Sequence, residues 1–165
     1  MPLDRLRSVT DGTLQIAILE GTDVLYVERR EGPGAIPVFR AVGARNAAYR
    51  TSSGKLLIAF LPAEERIRAI DSMKLRPRTP RTITSRTRLV AELDQIRRQG
   101  YAENRGESEP EMCSIAAPVR DRLGRVVASV SVAIHTDQVA DGLPHLVRPV
   151  VQTAERISLA LGWSK

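Results

Sequence analysis

At 165 residues, 42% of them hydrophobic, the chain has the size of one domain able to bury its own core. A lone cysteine, Cys113, excludes an internal disulfide framework, and with only two histidines beside it a usual structural zinc site is excluded too, so neither a metal nor another cofactor is expected. A net charge of +6 and a pI near 10.2 admit a nucleic-acid partner, yet aromatics make up only 4% of the chain with no run of Tyr or Phe interleaved with basic residues, which argues against a base-stacking surface.

Neither a helix-turn-helix pattern nor Cys/His finger spacing is visible, so any DNA-reading element lies outside this sequence. The opening, MPLDRLRSVTDG, is polar, and the longest apolar run, LLIAFL at 56–61, is far too short to span a bilayer. A soluble, cytoplasmic protein with no membrane partner is the expectation.

In chain order, a polar leader precedes a first hairpin, Thr13 to Leu19 and Val24 to Arg29 around Glu20-Gly21-Thr22-Asp23. Ile36 to Val42 reads as a further short strand. At Thr51 the period changes: Thr51, Ser52 and Ser53 are N-cap types, and Leu56, Leu57, Ile58, Phe60 and Leu61 make a mostly apolar, buried helix. Pro62, Glu64 and Glu65 suit the first turn of the next helix, with Ile67 and Ile70 as its anchors. Residues 74–88 form a basic, Pro-containing connector, read either as a solvated loop or as an electrostatic contact with DNA or a neighbouring subunit. Ser85 caps the following helix, where Leu89, Val90, Leu93 and Ile96 recur at helical spacing, Asp94 and Arg98 can pair, and Gly100 ends the run. Tyr101 begins a short strand that leads into an acidic loop, Glu103 to Glu111. Pro144 opens the last helix, whose apolar stripe is Val147, Val150, Val151, Ala154, Ile157 and Leu161.

Met112 to His135 is the most informative stretch, two strands joined across Asp121 to Gly124. Alternation places Met112, Ser114, Ala116 and Pro118 on one face, and Cys113, Ile115, Ala117 and Val119 on the other. The returning strand divides likewise: Val126, Ala128, Val130, Val132 and Ile134 are apolar, while Val127, Ser129, Ser131, Ala133 and His135 are small or polar. A turn centred on Arg122 and Leu123 sets Ser114 against Ser131 and Ile115 against Val130. A three-residue turn with Gly124 in a bulge shifts the pairing by one and mixes the faces, so it is rejected. The serine face is then either solvated or the lining of a cavity; the lack of long charged side chains before Arg120 favours the cavity.

Catalytic uses of these residues are weak. Ser52 and Lys55 match Ser-x-x-Lys, but its companion Lys-Thr-Gly is missing, since none of Lys55, Lys74 and Lys165 precedes a threonine. Position 49 is Tyr where a phosphate loop needs Gly. Glu103, Glu107, Glu109 and Glu111 read as solvated loop carboxylates, Cys113 as a buried structural thiol and His135 as a strand end. The helix start at Ser52-Ser53 has a second use besides N-capping: its outward amides and hydroxyls suit a small carboxylate or phosphate.

Strands, helices, strands, helix: the order gives an α+β domain with a mostly antiparallel sheet and helices packed on its greasy face. Several stretches together resemble the effector-binding domain of the isocitrate lyase regulator (IclR) family of bacterial transcription factors. They are Thr51-Ser52-Ser53-Gly54-Lys55 with Leu57, Ala59 and Phe60; Thr82-Ile83; Gly100-Tyr101-Ala102; and Ser114 to Val119 with Gly124 to Ser131. The resemblance runs from Thr13 to Gly162 and implies a GAF-like or profilin-like fold, a curved sheet with helices on one face. It divides the chain into a leader or linker, 1–12, from a DNA-binding domain not in this sequence, and a sensor domain, 13–165. It further implies a small-molecule effector, promoter DNA bound through an N-terminal winged helix-turn-helix, and a homodimer or tetramer. Carried over by position, its effector pocket uses Ser52, Ser53 and Gly54 at the helix start, the polar Asn104, Ser114 and Ser131, and the apolar walls Val38 and Met112. Departures from the family pattern are Tyr49, Arg50, Asn104 and Ser114, of which basic Arg50 and neutral Asn104 point to an anionic effector. A dimerisation module with a vestigial pocket is the alternative, and a Ser-x-x-Lys hydrolase the third reading.

Overall fold

Alternating side chains and β-branched content build a single antiparallel sheet in the computed structural model, which describes residues 2–33, 41–138 and 143–164. Its six strands are β1 (Thr13–Glu20), β2 (Asp23–Glu31), β3 (Arg45–Ala47), β4 (Ala102–Arg105), β5 (Met112–Arg120) and β6 (Val126–His135). Their order across the sheet is β3-β2-β1-β6-β5-β4, so the first hairpin and the Met112–His135 hairpin lie side by side through β1 and β6. Of the expected strand 36–42, residues 36–40 lie outside the described residues; Val42 and Gly43 form a turn before β3.

The α+β class is as expected, whereas the helices occupy both faces of the sheet. On the greasy face, α5 (Pro144–Ala160) and α1 (Pro2–Arg7) cover Cys113, Ile115, Ala117, Val119, Val130, Val132 and Ile134 with Leu146, Val150, Ala154, Leu3 and Leu6. Part of the polar leader is therefore helical, with Leu3 and Leu6 buried. Across the sheet, α2 (Ser52–Ala59), α3 (Ala63–Ser72) and α4 (Arg86–Gln99) form a second core with Ala17, Tyr26, Ala102 and Ala116. Every residue of α2 is buried, which is why its sequence carries no polar stripe.

Helix ends follow the sequence. Thr51 caps α2 by accepting from the Gly54 amide at 2.9 Å, Ser85 caps α4, and Gly100 ends α4 at φ +84°, a left-handed conformation that glycine adopts without strain. Two details differ. Ile67 is 59% exposed, leaving Ile70 and Met73 to anchor α3, and Asp94 pairs with Arg66 of α3 at 2.7 Å instead of with Arg98. At the far end, Leu161 of the expected α5 stripe is 50% exposed just past the helix.

The central hairpin keeps its two faces but not its pairing. Ser114 stands opposite Ala133, Ile115 opposite Val132 and Ala116 opposite Ser131, two residues from the expected register. Gly124 adopts φ +76°, and the Asp121 amide donates to the Arg125 carbonyl, which is the three-residue turn rejected from the sequence. The mixing of faces is cancelled at once: Arg120 pairs with Val126 and Val119 with Ala128, so Val127 is an extra residue bulged out to solvent. Two one-residue shifts restore the period.

Candidate functional site

Beneath the N-terminus of α2, the small-residue face encloses a cavity of about 40 Å³. Ser52 and Ser53 from α2, Asn104 from β4, Met112 and Ser114 from β5, and Ser131 from β6 line it. Larger grooves of about 390 Å³ run elsewhere on the surface, for example between the end of α1 and the start of α5, but they are wide open to solvent. The cleft under α2 is the place where buried polar side chains converge.

The Ser52 and Ser114 hydroxyls lie 2.6 Å apart and hydrogen-bond each other, joining the first residue of α2 to the middle of β5. Thr51 has taken the Gly54 amide and Lys55 donates to the Thr51 carbonyl, so helix geometry leaves the Ser52 and Ser53 amides as the first-turn donors at the cleft. Gly54 does not line the cleft. A Cβ there would stand 2.2 to 2.6 Å from the Ala48 backbone, so glycine is what lets α2 seat against the preceding 3-10 turn, Ala48–Arg50.

Asn104 borders the cleft, yet both ends of its amide are engaged: Nδ2 donates to the Arg50 carbonyl at 3.1 Å and Oδ1 accepts the Glu107 amide at 2.9 Å. It brackets the cleft rather than offering free donors. Arg50 is not in the lining either; its Nε donates to Asn46 Oδ1 at 2.9 Å, and Asn46 Nδ2 donates to Ser108 Oγ at 3.0 Å. Val38 falls outside the described residues.

The loop 106–111 is the rim of the cleft, contributing Ser108 and Glu109 to its lining. Of the acidic residues read as solvated, Glu107 is buried, and its Oε1 accepts from Lys55 Nζ at 2.8 Å. Lys55 is fully buried and also donates to Glu92 of α4 at 2.8 Å, so the lysine of the Ser-x-x-Lys pattern faces two carboxylates while Ser52 bonds to Ser114. Burial lifts the Glu107 carboxyl above its ordinary value, against the opposing pull of the Lys55 charge. Burial likewise pushes the Cys113 thiol up, away from the reactive thiolate. The basic connector is anchored as well: Thr79 Oγ1 donates to the Gly106 carbonyl at 2.6 Å and Thr82 Oγ1 to the Glu107 carbonyl at 2.7 Å. Thr79, Thr82 and Ile83 are buried, while its charged side chains are on the surface.

Seven lining residues were not among the expected pocket residues: Gln15 and Tyr26 on the first hairpin, Thr51 at the start of α2, Ser108 and Glu109 on the rim, and Cys113 and Ala133 on the central hairpin. Gln15 could have been found, because the alternation Thr13, Gln15, Ala17 against Leu14, Ile16, Ile18 marks a small polar face like that of β6. Its neighbour, though, is a matter of sheet order.

Comparisons with known proteins place the fold and the family. Residues 1–159 match the model of the bacterial transcriptional regulator IclR C-terminal family. The transcriptional regulator KdgR of Escherichia coli K12 is 31% identical over 159 residues, 96% of this chain and 60% of that protein. The crystal structure of Thermotoga maritima IclR superposes with a TM-score of 0.92 at 30% identity, covering 98% of this chain and 66% of that one. An IclR homologue from Microbacterium hydrocarbonoxydans, solved in complex with 4-hydroxybenzoate, gives a TM-score of 0.87 at 26% identity, covering 97% of this chain and 65% of that one. The chain thus spans about three fifths of the curated relatives it matches. By sequence and by fold, the chain belongs to the IclR family of bacterial transcriptional regulators, as their C-terminal domain.

Proposed function

We propose that this domain senses a small organic acid for a regulator that binds promoter DNA. The acid docks its carboxylate at the Ser52-Ser53 amides and hydroxyls, against Ser114 and Ser131, with Met112 as an apolar wall. Residues 1–12 link the domain to an N-terminal winged helix-turn-helix, and the regulator works as a homodimer or tetramer in the cytoplasm. Ligand binding changes the packing of the cleft, and the DNA-binding domains are re-spaced across the dimer.

The observation that carries the reading is the Ser52–Ser114 contact, a buried hydroxyl, a half-buried one and a helix start meeting in one cleft. The homologue solved with 4-hydroxybenzoate supports an aromatic acid as the ligand class. At about 40 Å³ the cavity holds a few water molecules and no organic acid, so binding needs the rim to open. Loop 106–111 suits that role, since it is held down by polar ties from Lys55, Asn104, Thr79 and Thr82 rather than by apolar packing. Catalysis is disfavoured by the same contacts, which leave Lys55 turned away from Ser52.

Calorimetric titration of the chain with a panel of small carboxylates, 4-hydroxybenzoate included, tests the proposal. One-site saturable binding that Ser114→Leu and Ser131→Leu abolish is the expected result. Stable self-association with no saturable binding would favour a dimerisation module with a vestigial pocket.

A further inference from the structure

In and beside the same cleft, the first hairpin carries buried polar atoms that have no hydrogen-bond partner among the described residues. Gln15 is 5% exposed and lines the cavity, and its Nε2 has no hydrogen-bond partner among the described residues. Thr13, 1% exposed, has an unpartnered Oγ1, and Arg29 an unpartnered Nε. The sheet register joins them. Gln15 pairs with Arg29 on one side and with Ser131 on the other, and Thr13 pairs with Ala133, which pairs with Ser114. Directly opposed residues share a face, so all three stand on the small-residue face beside the serines. Thr13 is two strand spacings, ~10 Å, from Ser114.

An unsatisfied buried donor destabilises the fold unless something else repays it. Two of these atoms, Gln15 Nε2 and Arg29 Nε, are N–H donors, and the Arg29 charge is already balanced by Glu31, 2.8 Å from its Nη2. What they lack is an acceptor oxygen. We propose that the ligand of this cleft is a bifunctional acid, with one carboxylate at the Ser52 helix start and a second oxygen-bearing group received by Gln15, Arg29 and Thr13. The inference rests on the sensing role proposed above and adds the far end of the ligand to it. Selection follows from the same physics. An acid with an apolar far end leaves the donors unpaired and gains only hydrophobic contact, whereas a carboxylate, carbonyl or hydroxyl at that end pairs them.

Matched pairs of acids separate this inference from the sensing role itself. The chain is titrated calorimetrically with glutarate and pentanoate, adipate and hexanoate, and 4-hydroxybenzoate and benzoate. In at least one pair the bifunctional member is expected to bind tenfold or more tightly. Gln15→Met and Arg29→Met should each erase that preference, bringing the affinities of the two members of the pair together. Gln15→Met and Thr13→Val should also leave the Tm equal or raise it, because each removes an unsatisfied buried group. Simple acids binding as well as their bifunctional partners, a preference that survives Gln15→Met, or a Tm lowered by Gln15→Met would each overturn the inference with the sensing role intact. If no acid of any pair binds, the sensing role fails and this inference with it.

Discussion

One hairpin, Met112 to His135, presents two faces that have been put to opposite uses. On one side Ile115, Val130 and Val132 are sealed against α5, with hydrocarbon on both sides of the contact. On the other, Ser131 is just as deeply placed and Ser114 is half-buried, yet they meet a hydroxyl and a cavity under α2. Burial alone therefore does not mark a core. What separates the faces is whether the buried surface is apolar and filled, which stabilises the fold, or polar and incompletely filled, which leaves binding capacity in reserve.

The contrast breaks most visibly if the greasy face is cut. Ile115→Ala should cost about 3 to 4 kcal/mol, read from urea unfolding, with ligand affinity of the folded fraction unchanged. Next in size is the ion cluster at the rim. Lys55→Met strands Glu107 and Glu92 and should cost about 3 kcal/mol, and adding Glu107→Gln in the double variant should recover part of that loss. On the small-residue face the effect moves from stability to binding: Ser131→Val should shift stability by less than about 1 kcal/mol while weakening acid binding at least tenfold by calorimetry.

The smallest effect is a pH slope. Because burial raises Glu107 above its ordinary value of 4.5, the folded chain keeps a proton that the unfolded chain has released. The stability contributed by this group is therefore full below 4.5 and declines as pH rises through the raised value. Urea midpoints across about pH 4 to 8 should show a shallower decline in Glu107→Gln than in the parent chain.

The two faces were legible in the sequence because period-two alternation depends on neighbours along the chain. Their pairing was not: the register turns on two one-residue shifts, at Gly124 and Val127, and each by itself looks like an error. Helix starts at Thr51 and Ser85 and the stop at Gly100 were legible for the same local reason. Lys55 was not, since its partners Glu92 and Glu107 come 37 and 52 residues later and only the fold brings them to it. The six cleft residues Ser52, Ser53, Asn104, Met112, Ser114 and Ser131 were reached by resemblance combined with the alternation. Gln15 and Tyr26 were not, because nothing local says that the first hairpin lies beside the last.

Amide hydrogen exchange in the presence of 4-hydroxybenzoate, or of whichever acid of the panel binds, tests the division of labour most directly. Saturating acid is expected to slow exchange at Ser52 to Lys55 and from Glu107 to Ser114, and to leave α5 unchanged. Slowed exchange confined to α1 and α5, with the Ser52 helix start unaffected, would place the ligand on the other side of the sheet and contradict the account.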